Sequence, residues 1–252
     1  NQTPFGGRGM THKTKGIVLR TTKYGETSVV VSIFTELFGI QTYMVNGVSN
    51  KKKKAVKANL FQTAAILELV VYHNENKKMQ RIKEFSWAVL YSSLLTDVIK
   101  NAIASFMAEL VQKCLKQPEP NQQLFNFCED CFCRLDTANK IVAANFALFF
   151  SLQLTHFFGF RMAGNFSINN PVLDLQEGIF TNKQPHHPNF VDGKLAELTA
   201  QLLNVMQPAE LEHFKLNHEI RRALLMKYLE YYSLHLHDFG QVKTLMVLHE
   251  VL

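Results

Sequence analysis

Apolar and polar residues alternate along the first third of this 252-residue chain, then recur every three or four residues through most of the rest. Residues 15–24 are rich in β-branched side chains, with Ile17 and Leu19 alternating against Val18 and Arg20. Tyr24-Gly25-Glu26 is a turn signal, and residues 27–35, carrying Val29, Val30, Val31, Ile33 and Phe34, form a second strand pattern. Phe38-Gly39 separates it from a third at 40–48, closed by Asn46-Gly47. Residues 60–72 read as a fourth strand region, with Leu67, Leu69 and Val71 on one face. Residues 80–85 read as a fifth, with Arg81 and Lys83 opposite Ile82. Five strands in about 75 residues point to a small closed barrel, because closure removes sheet edges. That size suits the OB-fold, a barrel used to bind oligonucleotides.

After Trp87 the period lengthens. Leu95, Ile99, Ala102, Phe106, Leu110 and Cys114 mark a helix with one buried face, ended by Pro118-Glu119-Pro120. Further helices are expected at 122–135 and from Thr137, as N-cap, to Phe158, where Gly159 ends the run. Residues 160–189 lack a period and are broken by Gly164, Asn169-Asn170-Pro171, Gly178, Pro185 and Pro188. A connection of that length is a functional segment, a mobile one or a small subdomain. Helices are expected again at 191–206, 208–214 and 217–236, the last with Ile220, Leu224, Leu225, Tyr228, Leu229 and Tyr232 along one side. The expected fold is therefore α+β: a five-stranded OB-fold β-barrel at 10–86, then an α-helical domain at 87–252 with an irregular insert at about 160–190. Residues 1–9 read as an expression leftover, with Met10 as the native start.

Composition agrees with a folded globular protein, at 47% hydrophobic residues with 12 Gly and 7 Pro. No basic-then-apolar segment follows Met10, so a cytoplasmic protein is expected. Residues 141–158 contain no Asp, Glu, Lys or Arg, but Asn145, Ser151, Gln153, Thr155 and His156 interrupt them. Such groups are costly in lipid, so a helix buried in the protein is expected rather than a membrane span.

Charge divides the chain unevenly. Residues 10–85 hold 13 Lys+Arg against 5 Asp+Glu, and residues 86–252 hold 13 against 16. Lys51, Lys52, Lys53, Lys54 and Lys57 form the densest cluster, with Arg20, Lys23, Arg81 and Lys83 on or beside strands of the same module. Concentrated positive charge raises the local concentration of a polyanion. These nine residues are the candidate DNA contacts. Tyr24, Tyr43 and Tyr72 have faces on which bases can stack, although barrel core or structural surface is the expected use of most of them.

Other chemistry is poorly supported. Cys128-x-x-Cys131-x-Cys133 has no second Cys or His pair at zinc-finger spacing, and the surrounding apolar helix favours buried thiols. His235 and His237 are two apart, which on a helix turns them to different sides. No nucleophile elbow, phosphate loop, zinc-protease helix or dinucleotide fingerprint occurs, so no catalytic residue is assigned and no enzyme is expected.

Lys15-Gly16-Ile17-Val18-Leu19, then Tyr24-Gly25-Glu26-Thr27, then residues 30–35 and Gly39, resembles the start of the RecO family of bacterial recombination mediators. Phe157-Phe158-Gly159-Phe160 resembles the family's junction between helical body and zinc-binding insert. The resemblance implies a non-enzymatic DNA repair factor. It would bind single- and double-stranded DNA, anneal complementary strands, contact the C-terminal tail of single-strand-binding protein, and with RecR help load RecA. It also implies a cytoplasmic protein that joins the nucleoid when acting. Many members carry four zinc-ligating cysteines in the insert, whereas residues 161–189 here carry none, so zinc is expected to be absent. His186 and His187 alone cannot complete a tetrahedral site. The insert must then be held by apolar residues such as Phe166, Ile168, Val172, Leu173, Leu175, Ile179 and Phe180, with a short strand at 178–180 and Phe190 anchoring the exit. Arg221 and Arg222 are the candidate basic residues for the acidic tail peptide. The alternative reading is a non-catalytic OB-fold adaptor for RNA or DNA, which would bind strands without annealing them.

Overall fold

The computed structural model describes residues 10–46 and 60–252. The lysine cluster Lys51–Lys54 with Lys57 lies outside the described residues. The chain divides into two compact units. One runs to Leu90 and includes Leu115–Glu129; the other comprises Tyr91–Cys114 and Asp130–Leu252.

In the first unit, β1 (Thr11–Tyr24), β2 (Ser28–Thr35), β3 (Gly39–Val45), β4 (Ile66–Tyr72) and β5 (Gln80–Trp87) close into a barrel in the order β1-β2-β3-β5-β4. Closure rests on the parallel pairing of β3 with β5, Tyr43 to Gln80 and Met44 to Arg81; the other pairs are antiparallel. The inward positions form an apolar cluster that includes Val18, Val31, Ile33, Tyr43, Leu67, Leu69 and Val71. Gly16 lies on the same inner side as Val18: a Cβ there would stand 2.5 Å from Ile33 and 2.9 Å from Leu69. Two bulges turn the strands. The β1–β2 register jumps past Leu19 and the β4–β5 register past Lys83, and bulges of this kind increase local twist.

Residues 60–65 are not strand, contrary to the alternation. They form a helical turn and bends ahead of β4, with Ala64 at φ 74°. Leu60 and Phe61 belong to the core cluster, and the Thr21 hydroxyl donates to the Phe61 carbonyl at 2.6 Å. Burial of these side chains imitates a strand pattern while the backbone turns. The outer side of β1–β2–β3 near Ile17 and Phe34 is covered by the 115–129 segment: the Phe34 and Phe125 rings lie 5.5 Å apart, and the Lys15 ammonium meets Glu129 at 2.8 Å. Gly39, at φ 65°, leaves no room for a Cβ against the Glu119 backbone.

The remaining helices are α1 (Val98–Cys114), α2 (Gln122–Thr137), α3 (Lys140–Phe157), α4 (Gly193–Leu203), a 3-10 turn (Pro208–His213), α5 (His218–His235) and α6 (Leu245–Val251). The division between units falls within α2. In the second unit α3 is the central element and packs against α1, α4, α5 and the 3-10 turn. Its cap is Asn139, not Thr137: the Asn139 side chain accepts from Val142 N–H, and Thr137 is the last residue of α2. No helix among the described residues is long and apolar enough to cross a membrane. Asp136 is buried and accepts from the N–H groups of Ser92, Ser93 and Leu94 and from the Ser92 hydroxyl. Burial works against its charge, but these donors outweigh it and hold the carboxyl below its usual range.

The insert contains a three-stranded sheet, β7-β6-β8, of β6 (Val172–Asp174), β7 (Ile179–Thr181) and β8 (Phe190–Val191). Val172, Leu173, Leu175 and Phe180 are buried as expected. Ile168 and Ile179 instead face solvent, being 93% and 44% exposed. Polar contacts to α5 take their place. His235 Nε2 lies 2.8 Å from the Leu175 carbonyl while its ring stacks on Phe160; Tyr231 donates to the Phe160 carbonyl; and Asn189 donates to Glu230.

Candidate nucleic-acid interface

The ladders around the barrel decide which side chains share its outer surface. Val31, Tyr43, Val71 and Ile82 point inward, so their neighbours Val30, Met44, Tyr72 and Arg81 point outward. Those four, with Thr22, make one cross-strand row: Thr22 opposes Val30, Val30 opposes Met44, Met44 opposes Arg81, and Arg81 opposes Tyr72. The next row is Arg20, Ser32 and Thr42. Beyond the first row on its other side stand Tyr24 and Ser28. None of these outward positions is Asp or Glu. Arg20 and Arg81 thus both stand on the outside of the closed barrel, on strands that are not neighbours, and Glu84 is the acidic residue one row from Arg81, opposite Val70.

Lys23 and Lys83 are placed differently. Lys23 opposes Val29, which packs against the core, so Lys23 stands at the rim of the barrel. Lys83 is the bulged residue and lies 3.6 Å from Glu84. The three tyrosines separate as well. Tyr43 is fully buried, and burial pushes its hydroxyl pKa up, whereas Tyr24 and Tyr72 are exposed.

One basic element was not singled out from the sequence. The turn between β4 and β5 presents Lys77 and Lys78, both exposed, beside Met79. Gln80 organises it from within: its amide donates to the Asn74 and Lys77 carbonyls at 2.8 Å and its carbonyl accepts from Asn74 N–H. The Lys77-Lys78 pair was visible in the sequence, but its place beside Arg81 depends on register.

In the second unit a cavity of about 420 Å³ is lined by Ile141, Ala144, Phe214 and Leu216, with Lys140, Lys215 and Arg221 around it. Arg221 donates to the Leu216 and Leu252 carbonyls, its Nε is buried with no hydrogen-bond partner, and burial lowers its pKa. Arg222 does not line this cavity; it is exposed, and its charge adds to the burial that lowers the pKa of His249.

The insert does not suit zinc. Its residues include no cysteine, and both His187 ring nitrogens are engaged, Nε2 with Asp174 and Nδ1 with Asn189 N–H. Cys128 and Cys131 are buried within α2. Among the described residues no group of three or more His, Cys, Asp or Glu is placed to hold a metal ion.

Fold and surface together define a class: an OB-type barrel that carries outward arginines and lysines, followed in the chain by a helical unit that carries a small sheet. Family models for the Recombination protein O N terminal and C terminal match residues 10–91 and 95–244. The chain is 36% identical over 238 residues to DNA repair protein RecO of Christiangramia forsetii, covering 94% of this chain and 98% of that protein. It is 34% identical over 243 residues to DNA repair protein RecO of Bacteroides fragilis, covering 96% and 99%. The protein of the same name from Azobacteroides pseudotrichonymphae is 33% identical over 242 residues, covering 96% and 99%. The chain belongs to the RecO family.

Proposed function

We propose that this protein is a DNA repair and homologous recombination mediator. It binds single- and double-stranded DNA, anneals complementary strands and, with RecR, helps load RecA onto strands coated by single-strand-binding protein. It acts without catalytic turnover and without zinc, and works in the cytoplasm at the nucleoid. The observation that carries this reading is the match of both family models across nearly the whole chain to relatives named DNA repair protein RecO. The outward Arg20 and Arg81 on the barrel support it, because phosphate contacts supply most sequence-independent affinity. Lys51–Lys54 and Lys57, which lie outside the described residues, are further DNA contacts in this reading, as are Lys23 and Lys83.

The cavity around Ile141, Ala144, Phe214 and Leu216 is the proposed seat of the single-strand-binding-protein tail. An acidic peptide ending in an apolar residue needs an apolar floor ringed by cations, and Lys140, Lys215 and Arg221 provide the ring.

The test is strand annealing without ATP, using complementary oligonucleotides coated with the cognate single-strand-binding protein. Stoichiometric protein should accelerate annealing. Tight oligonucleotide binding with no acceleration would sink the mediator reading and leave a plain adaptor. Replacing Lys51–Lys54 by Ala should shallow the log–log salt slope for single strands by about two units if three of them reach phosphate. An unchanged slope would remove the cluster from the interface.

A further inference from the structure

Tyr24 and Tyr72 are both exposed on the barrel, at 57% and 36%, but only Tyr72 directly opposes a cation. It faces Arg81 across the β4–β5 ladder, where opposed Cβ atoms lie about 5 Å apart. Met44 flanks Arg81 on the other side through the parallel β3–β5 pair. Tyr72 also precedes the turn that carries Lys77 and Lys78, and Arg81 follows it. The hydrogen bonds of Gln80 hold the backbone of that turn, so both flanking residues leave a fixed support.

The two side chains answer to different parts of a nucleic acid. A guanidinium meets phosphate in single strands and duplexes alike. An aromatic ring stacks on a base only where the base face is open, as in a single strand. We infer that Tyr72 is a base-stacking residue that gives this barrel a preference for single strands over duplex, while Arg81 holds a phosphate of the same bound segment. The inference rests on the DNA-binding reading above.

The experiment is fluorescence anisotropy at fixed salt with a labelled thymidine 20-mer and a 20-base-pair duplex. Tyr72→Ala should weaken single-strand binding about tenfold, the size expected for one stacked base. It should change duplex binding less than twofold and leave the salt slope as it was. Tyr72→Phe should bind as the parent does. Arg81→Ala should weaken both and shallow the single-strand slope by about 0.7. On the unaltered protein, an oligonucleotide carrying 5-iodouracil should crosslink at Tyr72 on irradiation, a readout that needs no variant to fold. Equal losses on both substrates, no loss, or crosslinking confined to Tyr24 would overturn the inference and leave the DNA-binding reading standing. Failure of the parent protein to bind either substrate would overturn both.

Discussion

The barrel interior is mostly apolar, with the Tyr43 hydroxyl buried without a hydrogen-bond partner and the Thr35 hydroxyl donating to the Gly39 carbonyl. In the helical unit polar side chains lie just as deep and several bond to other elements, although Asn145 Oδ1 has no partner. The Asn145 amide donates to the Leu211 and Phe214 carbonyls, Tyr232 donates to the Ser151 carbonyl, and Thr199 pairs with the Tyr228 hydroxyl at 2.9 Å. The barrel strands are joined mainly by backbone ladders, whereas buried side chains also tie the 3-10 turn and the insert to the helices. The barrel is therefore expected to keep its stability when its exposed residues change, and the helical unit to lose stability when a single buried polar group does.

The sharpest way to break that contrast is at Asp136. Asp136→Asn removes a buried charge that accepts four hydrogen bonds and should destabilise the helical unit by about 3 kcal/mol, seen as a lower thermal midpoint with DNA affinity intact at 20 °C. The sign with pH follows from its depressed pKa. The contribution is fully present above the unfolded value of about 3.9 and is lost as pH falls through the folded one. The gap between parent and variant should thus begin to narrow as pH falls below about 4 and close beneath the folded pKa. A gap that persists there would mean that the charge is not what holds residues 92–94.

On the barrel side, replacing Arg20 and Arg81 together by Ala should shallow the single-strand salt slope by about 1.4 and leave the unfolding free energy within about 0.5 kcal/mol of the parent. A large loss of stability would show that the face is structural. For the cavity, Arg221→Ala should weaken an acidic tail peptide about fivefold in calorimetry, in line with the loss of one charge-assisted contact, while Arg222→Ala should not. Equal effects would place the peptide elsewhere. The smallest effect belongs to Lys15→Met. Its bond to Glu129, opposed by partial burial, raises the Lys15 pKa, so the pair stabilises below the unfolded value near 10.5 and is lost above it. Being part exposed, it should contribute less than about 1 kcal/mol, measured by denaturant titration at pH 8.

Much of the barrel is readable from alternation, because each strand has one inward and one outward side. What alternation does not reveal is which strands meet. The neighbourhood of Tyr72, Arg81 and Met44 depends on the register of the bulged β4–β5 hairpin and on the parallel β3–β5 contact, which joins residues far apart in the chain. Residues 60–65 mislead because Leu60 and Phe61 are buried without being strand. The start of α3 is displaced because Thr137 and Asn139 are both good caps, and α2 runs on through Thr137. The insert hides its sheet in strands of two or three residues, too short for a period, and hides its anchors in His235, Tyr231 and Glu230 of α5. The seven-residue α6 is likewise too brief to show a repeat.

Gln80 has a meaning beyond the turn it holds. Because one buried side chain grips Asn74 and Lys77 through their backbones, residues 75–79 carry little of the folding task themselves. Evolution can therefore rewrite their chemistry, trading lysine for serine or methionine for an aromatic, without redrawing the loop. The barrel would then adjust its grip to a new strand composition or ionic setting by editing a short exposed word held between fixed brackets.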